Sequence, residues 1–254
     1  MNKAQKIKGL QTMDGDGAQL RRLLPSYHVG YLDPFLLFDH FSVQKPAGFP
    51  SHPHRGFETI TYMLQGAFLH EDSVGRSKMI VAGGVQRITA GSGIVHSEMP
   101  GANGINQGLQ LWVNLPREQK GMEPSYQNVA SADLPVFEQR GVRRKILVGL
   151  GSPVTLQQPM LYEDISLDPN EGGLSVTLTV PSGYQSMMYV FLGSGVFGTE
   201  LIEVVTGELI IFEPSSKVQS IVVRTINAIS PLQFVYVSAQ TIGERPIFRG
   251  SYVD

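Results

Sequence analysis

Four residues carry the chemistry legible in this chain. His52-Pro53-His54 sets two imidazoles two residues apart, and His96-Ser97-Glu98 repeats the spacing with an imidazole and a carboxylate. On a β-strand, residues i and i+2 point to the same face. Two such strands side by side would turn three nitrogens and one oxygen toward a common centre. That donor set suits a divalent first-row metal ion, with iron(II), manganese, nickel, copper and zinc all chemically acceptable. A six-coordinate iron held by His52, His54, His96 and Glu98 would keep two positions open for a substrate oxygen and O2. Glu58 follows at H-x-H-x3-E spacing. An unbroken strand would put it on the same face, whereas a bend at Arg55-Gly56-Phe57 would move it behind the ligands. His40 and His70 read as hydrogen-bonded supports, since ligand histidines need partners that fix their tautomer. His28 has no such context. Trp112, the single tryptophan, reads as packing more than as pocket wall.

Strands must position these groups. Leu109–Leu115 alternates Leu, Leu, Val and Leu with Gln, Trp and Asn, the period of a half-buried strand. Thr59–Leu64 is similar, and Gly66 ends it. Further strands are expected over Lys145–Leu150, Leu174–Val180, Met187–Leu192, Leu209–Phe212, Ser220–Arg224 and Leu232–Val237. Turn residues such as Gly83-Gly84, Pro181-Ser182-Gly183 and Pro214-Ser215-Ser216 separate them. Helical periodicity is weak, with one short helix conceivable near Ser131–Leu134. Gly121–Pro135 reads as a connector between two domains, 1–130 and 131–254. A faint repeat relates the halves: Gly84, Gly91, Gly93, His96 and Glu98 share offsets with Gly207, Pro214, Ser216, Gln219 and Ile221. The second copy lacks the polar ligands.

Composition narrows the function classes. The 254 residues carry 20 Lys plus Arg against 22 Asp plus Glu, a net charge of −2. This gives no electrostatic footprint for nucleic acid, and Arg143-Arg144-Lys145 is short enough to be a solvated face. With no cysteine, disulfides, thiolate zinc and thiol catalysis are excluded. With 28 glycines and 17% charged residues, the chain reads as a turn-rich all-β protein. No apolar run is long enough to span a membrane. Residues 1–13 hold three lysines and no apolar core, so a cytoplasmic location is expected. All six histidines fall at or before His96.

His52-Pro53-His54-Arg55-Gly56-Phe57-Glu58-Thr59, His70-Glu71-Asp72-Ser73, Thr89 through Pro100 and Leu109 through Pro116 together resemble the pirin family of the cupin superfamily. Asp14-Gly15 and Leu32 through Phe41 match as well. The resemblance is dense from about residue 10 to 128 and thinner beyond. It implies a bicupin of two β-barrels, with metal only in the N-terminal one. It also implies that His52, His54, His96 and Glu98 bind iron, the same four residues that the spacing selects. Two departures stand out. Gly83-Gly84-Val85-Gln86-Arg87 replaces the family's Gly-Asp-Val-Gln-Trp and places a cation near the site, and the ending through Asp254 matches only loosely.

The resemblance implies an iron-dependent dioxygenase that cleaves a flavonol-like aromatic such as quercetin with O2, Glu98 accepting the substrate's hydroxyl proton. The alternative it implies is a non-catalytic, metal-gated regulator that binds a partner protein. A sugar or small-acid isomerase that uses the metal without O2 is a third reading.

Overall fold

The computed structural model describes residues 3–226 and 230–254. Among them the regular structure is strand, with three short 3₁₀ turns and no α-helix. β-Branched and aromatic residues are frequent in strands such as Phe57–Gln65 and Leu232–Gln240, and glycines in the left-handed region turn the chain between strands. Beside the site strands, Gly56 and Gly91 make approaches that a side chain would forbid. A Cβ on Gly56 would sit 1.9 Å from the Val253 carbonyl oxygen, and one on Gly91 would sit 2.1 Å from that of Met122. These two bracket the site strands, and Gly56 N donates to Gly91 O at 2.9 Å. No helix among the described residues is long and apolar enough to cross a membrane.

The chain forms two units. One holds Leu10–Leu134, Pro153–Gln158 and Ile242–Asp254. Its larger sheet has seven antiparallel strands in the order Ser125–Val129, Val85–Thr89, Phe57–Gln65, Asn106–Asn114, Phe35–Val43, Ala18–Leu24 and Leu10–Asp14. Its smaller sheet has four, in the order Phe49–His54, Ile94–Pro100, Ala67–Asp72 and Ser77–Val81. Both histidine motifs lie on neighbouring strands of the smaller sheet.

The other unit holds the residues up to Gly9, Pro135–Ser152 and Pro159–Thr241. Its seven-stranded sheet runs Ala4–Lys8, Glu208–Phe212, Tyr184–Leu192, Leu232–Gln240, Met160–Leu167, Val142–Val148 and Val136–Gln139. Its four-stranded sheet runs Ser175–Val180, Gln219–Thr225, Ser194–Phe197 and Ile202–Val205. The two units therefore share one strand order. The core of this second unit is continuous and apolar, running from Ile165 and Leu178 through Phe197, Ile221 and Val223 to Tyr236.

The structure revises three expectations and keeps a fourth. Division at residues 130 and 131 puts both chain ends in the wrong unit. Ala4–Lys8 pairs with Glu208–Phe212, while Ile242 and Gly243 donate backbone N–H groups to the Asp33 carboxylate. The supposed connector Gly121–Pro135 contains a strand, Ser125–Val129, paired with Val85–Thr89, and its expected helix is only a 3₁₀ turn at Ser131–Asp133. The strand Asn106–Asn114 keeps the expected period of two: Leu109, Leu111 and Val113 are fully buried, and the opposite face carries the partly buried Gln110 and Trp112. The basic run is not simply solvated. Arg144 grips Glu163 through two hydrogen bonds of 2.7 and 2.8 Å, and Lys145 is buried.

Candidate metal centre

Antiparallel pairing of Phe49–His54 with Ile94–Pro100 sets His52 opposite His96 and His54 opposite Ile94. Period two then brings His54 to the same face as His52. The candidate ligand atoms of His52, His54 and His96 all lie within 4.8 Å of one another, and the three rings stand 4.4–4.8 Å apart, centroid to centroid. His54 and His96 are buried, while His52 is partly exposed.

At His52 and His96 the surroundings leave Nε2 available to the centre. His52 Nδ1 lies 2.8 Å from the Pro50 carbonyl oxygen. A carbonyl only accepts, so Nδ1 carries the proton and leaves Nε2 for the centre. His96 Nδ1 faces His70 Nδ1 at 3.4 Å, and its buried Nε2 has no hydrogen-bond partner. His52 Nε2 and His54 Nε2 are 3.1 Å apart. One proton satisfies that contact in metal-free protein, and a cation can replace it. Burial holds His54 down at about 3, helped by the nearby His52 and opposed by the Ser251 backbone. Burial also pushes His96 far below the usual imidazole range, with His54, His52 and His70 adding to the effect. Both rings are therefore neutral near pH 7, the form a metal requires. The three histidines fit a divalent ion.

Glu98 stands outside the three-histidine group. The strand pairing is irregular between His96 and Glu98, and the carboxylate is held by two neighbours. Thr61 Oγ1 lies 3.2 Å from Oε1, and Gln110 Nε2 donates to Oε2 at 3.4 Å. Thr61 Oγ1 also lies 2.5 Å from Gln110 Oε1. A hydroxyl has one proton, so if Thr61 gives it to Gln110, Glu98 must supply the proton of the other bond. Burial raises Glu98 to about 7, against a lowering by Thr61, which agrees with that count. Thr61 and Gln110 went unread in the sequence, although Gln110 sits on the expected polar face of its strand.

The other candidates are placed clearly. Glu58 is fully buried, but its oxygens accept from Thr89 Oγ1 at 2.7 Å and Gln157 N at 2.9 Å. It anchors the Pro153–Gln158 segment and is not in the histidine group. Arg87 donates to Thr89 at 2.6 Å and lies 3.3 Å from Gln127 Oε1, so the cation serves this support network and does not line the cavity. His40 is half-buried and pushed down to about 4, chiefly by desolvation. His28 is exposed, with Tyr27 packed edge-on. Trp112 does two jobs: it stacks on Phe57 at 4.5 Å and stands 4.8 Å from the His54 ring.

A cavity of ≈ 430 Å³ opens onto His52, His54 and Glu98. Leu37, Phe41, Phe49, Phe68 and Trp112 make its walls apolar, and Asp39 and Gln110 add polar points. Asp39 is itself held by Arg22 through bonds of 3.1 and 2.8 Å. Ser251 contributes part of the wall. Its segment is pinned because Val253 is buried with Leu36 and Phe57 and Val253 N donates to Arg55 O at 2.9 Å. A residue this far along the chain leaves no local sequence signal of such a role.

The pirin family model matches residues 17–113. A pirin-like protein of Arabidopsis thaliana is 40% identical over 260 residues, covering 98% of this chain and 83% of that protein. The crystal structure of a quercetin 2,3-dioxygenase from Acinetobacter baumannii matches with a TM-score of 0.88 at 28% identity, covering all of this chain and 92% of that one. A bacterial pirin from Escherichia coli, solved in complex with nickel(II), matches with a TM-score of 0.73 at 19% identity, covering 94% of this chain and 99% of that one. At that identity the likeness concerns the fold.

Proposed function

The chain belongs to the pirin family of bicupins, and from that premise we propose that it is a metal-dependent dioxygenase cleaving a flavonol-like aromatic such as quercetin with O2. The observation that carries this reading is the convergence of His52, His54 and His96, two of which, His52 and His54, line a largely apolar cavity. A similar fold, at 28% identity, belongs to a quercetin 2,3-dioxygenase.

His52, His54 and His96 would hold the ion, with iron(II) as the first candidate and manganese, nickel, copper or zinc as alternatives. Glu98 is a fourth ligand if its carboxylate turns from Thr61 and Gln110. When bound, such an ion supplies Lewis acidity and a meeting point for substrate and O2. The protein does the rest. Phe41, Phe49, Phe68 and Trp112 bury a planar ring and keep water from it. Glu98 Oε1 or Oε2 takes the proton of a substrate hydroxyl. Its pKa near 7 suits a group that must both accept and release a proton at neutral pH. Gln110 and Thr61 keep that carboxylate aimed while its charge changes.

Oxygen uptake by protein loaded anaerobically with iron(II), then given quercetin and O2, tests the reading. Stoichiometric uptake with ring-opened product is expected. Bound metal without uptake across iron, manganese, nickel, copper and zinc would leave the regulatory reading in its place.

A further inference from the structure

Behind His96 lies a pair of groups with no part in the proposed chemistry. The strand Ala67–Asp72 runs antiparallel to Ile94–Pro100, with His96 opposite Asp72 and Glu98 opposite His70. The H-x-D of one strand and the H-x-E of the other thus form a two-by-two block of polar residues. His70 and the Asp72 side chain are fully buried.

The contacts run in a line. Asp72 Oδ1 accepts from Val74 N and Arg76 N, both at 3.0 Å, which fixes the carboxylate in the turn. Asp72 Oδ2 faces His70 Nε2 at 3.6 Å. That is longer than a formed hydrogen bond, yet both atoms are buried and neither has another hydrogen-bond partner. On its other side His70 Nδ1 faces His96 Nδ1 at 3.4 Å. His96 Nε2 is left bare.

We propose that Asp72 and His70 are positioning residues that set the tautomer of His96 and so keep its Nε2 lone pair turned to the metal centre. This rests on the reading of the three histidines as metal ligands. The logic is one of proton placement. A carboxylate oxygen only accepts, so it selects the Nε2–H form of His70. That form offers a bare Nδ1 to His96. His96 must then carry its own proton on Nδ1, and Nε2 is free. Arg76, whose Nη1 lies 3.7 Å from the same Oδ2, steadies the carboxylate as a charge and leaves Oδ2 an acceptor toward His70. Partners that lock a ligand imidazole in this way are worth about 10–100-fold in metal affinity.

Asp72→Asn is the sharp test, because the amide oxygen can keep both turn contacts while the amide nitrogen replaces an acceptor with a donor. The order then reverses: His70 carries its proton on Nδ1, and His96 is driven to Nε2–H, which blocks the metal. Long-range proton–nitrogen correlation spectra of metal-free protein read the tautomers directly. Zinc(II) affinity is read by competition with a chelator. The expected result is Nδ1–H at His96 in the parent, Nε2–H in Asp72→Asn, and zinc affinity lower by about 10–100-fold in that variant. Arg76→Gln should leave tautomer and affinity as they are. A parent protein with Nε2–H at His96 would overturn the proposal, whether or not the variant folds. So would an Asp72→Asn protein with unchanged tautomer and affinity. If the parent shows Nδ1–H at His96 but binds no zinc, the metal reading fails while the tautomer assignment stands.

Discussion

The two units share a strand order but fill equivalent places with opposite chemistry. In one, His52 lies opposite His96, and His70 lies opposite Glu98. In the other, Leu178 lies opposite Ile221, and Phe197 lies opposite Val223. His54 corresponds to Val180 in the same register. Where one unit gathers four imidazoles and a carboxylate, the other has five fully or almost fully buried apolar side chains in a continuous core. The strand pairing differs too: it is irregular between His96 and Glu98 and regular through Ser175–Val180. The frame therefore does not need the polar cluster. Desolvated polar groups cost stability, and apolar packing gains it. The first unit has the arrangement of a site, and the second the arrangement of a scaffold.

Breaking the scaffold side should have the largest effect. Phe197 is fully buried, and Phe197→Ala should cost about 3–5 kcal/mol in denaturant unfolding. The equivalent change at His70 should cost metal-free protein less, because its Nε2 makes no formed hydrogen bond, only the 3.6 Å approach to Asp72. Equal costs would mean that both clusters are structural.

An exchange of chemistry should act next. His52→Leu together with His96→Ile gives the site unit its counterpart's pair. The metal-free double variant should melt higher than the parent, by about 2–4 °C for each kcal/mol gained, and should bind no metal. A lower melting temperature would show that the histidines support the fold.

The smallest effect concerns Glu98. Burial raises it from 4.5 to about 7, so between those values the folded chain holds a proton that the unfolded chain has released. Stability from this group therefore falls as pH rises through that window. Metal-free Glu98→Gln should nearly match the parent at about pH 5 and melt higher at about pH 8, as read by thermal unfolding at both pH values. A parent that gains more than the variant between those pH values would reverse the assignment.

The legible parts of the molecule are those written at short range. H-x-H and H-x-E declare a shared face because strand period is two, and the structure gathers His52, His54 and His96 as that rule requires. The rule stops at Glu98, where an irregular pairing and a competing Thr61–Gln110 contact intervene. The repeat is visible but out of step: matching the seven-residue strands Ile94–Pro100 and Gln219–Thr225 end to end puts Ile221, not Gln219, at the place of His96. Ser125–Val129 reads as a connector because its residues Ser, Tyr, Gln and Asn lack an apolar face, and its place comes from the ladder with Val85–Thr89. The exchange of chain ends is invisible because contacts such as Arg55 with Asp254 span 199 positions. Asp72 could have been found, since H-x-D obeys the same period as the ligand motifs.

The central claim is that one unit holds a single ion through three histidines while its twin holds none. Elemental analysis of protein loaded anaerobically with iron(II) and freed of excess metal tests it most directly, with His54→Ala and His96→Ala treated alongside. The account predicts one ion per chain in the parent and loss of that ion in both variants, with folding intact. A parent with no ion, or variants that retain a full ion, would contradict it.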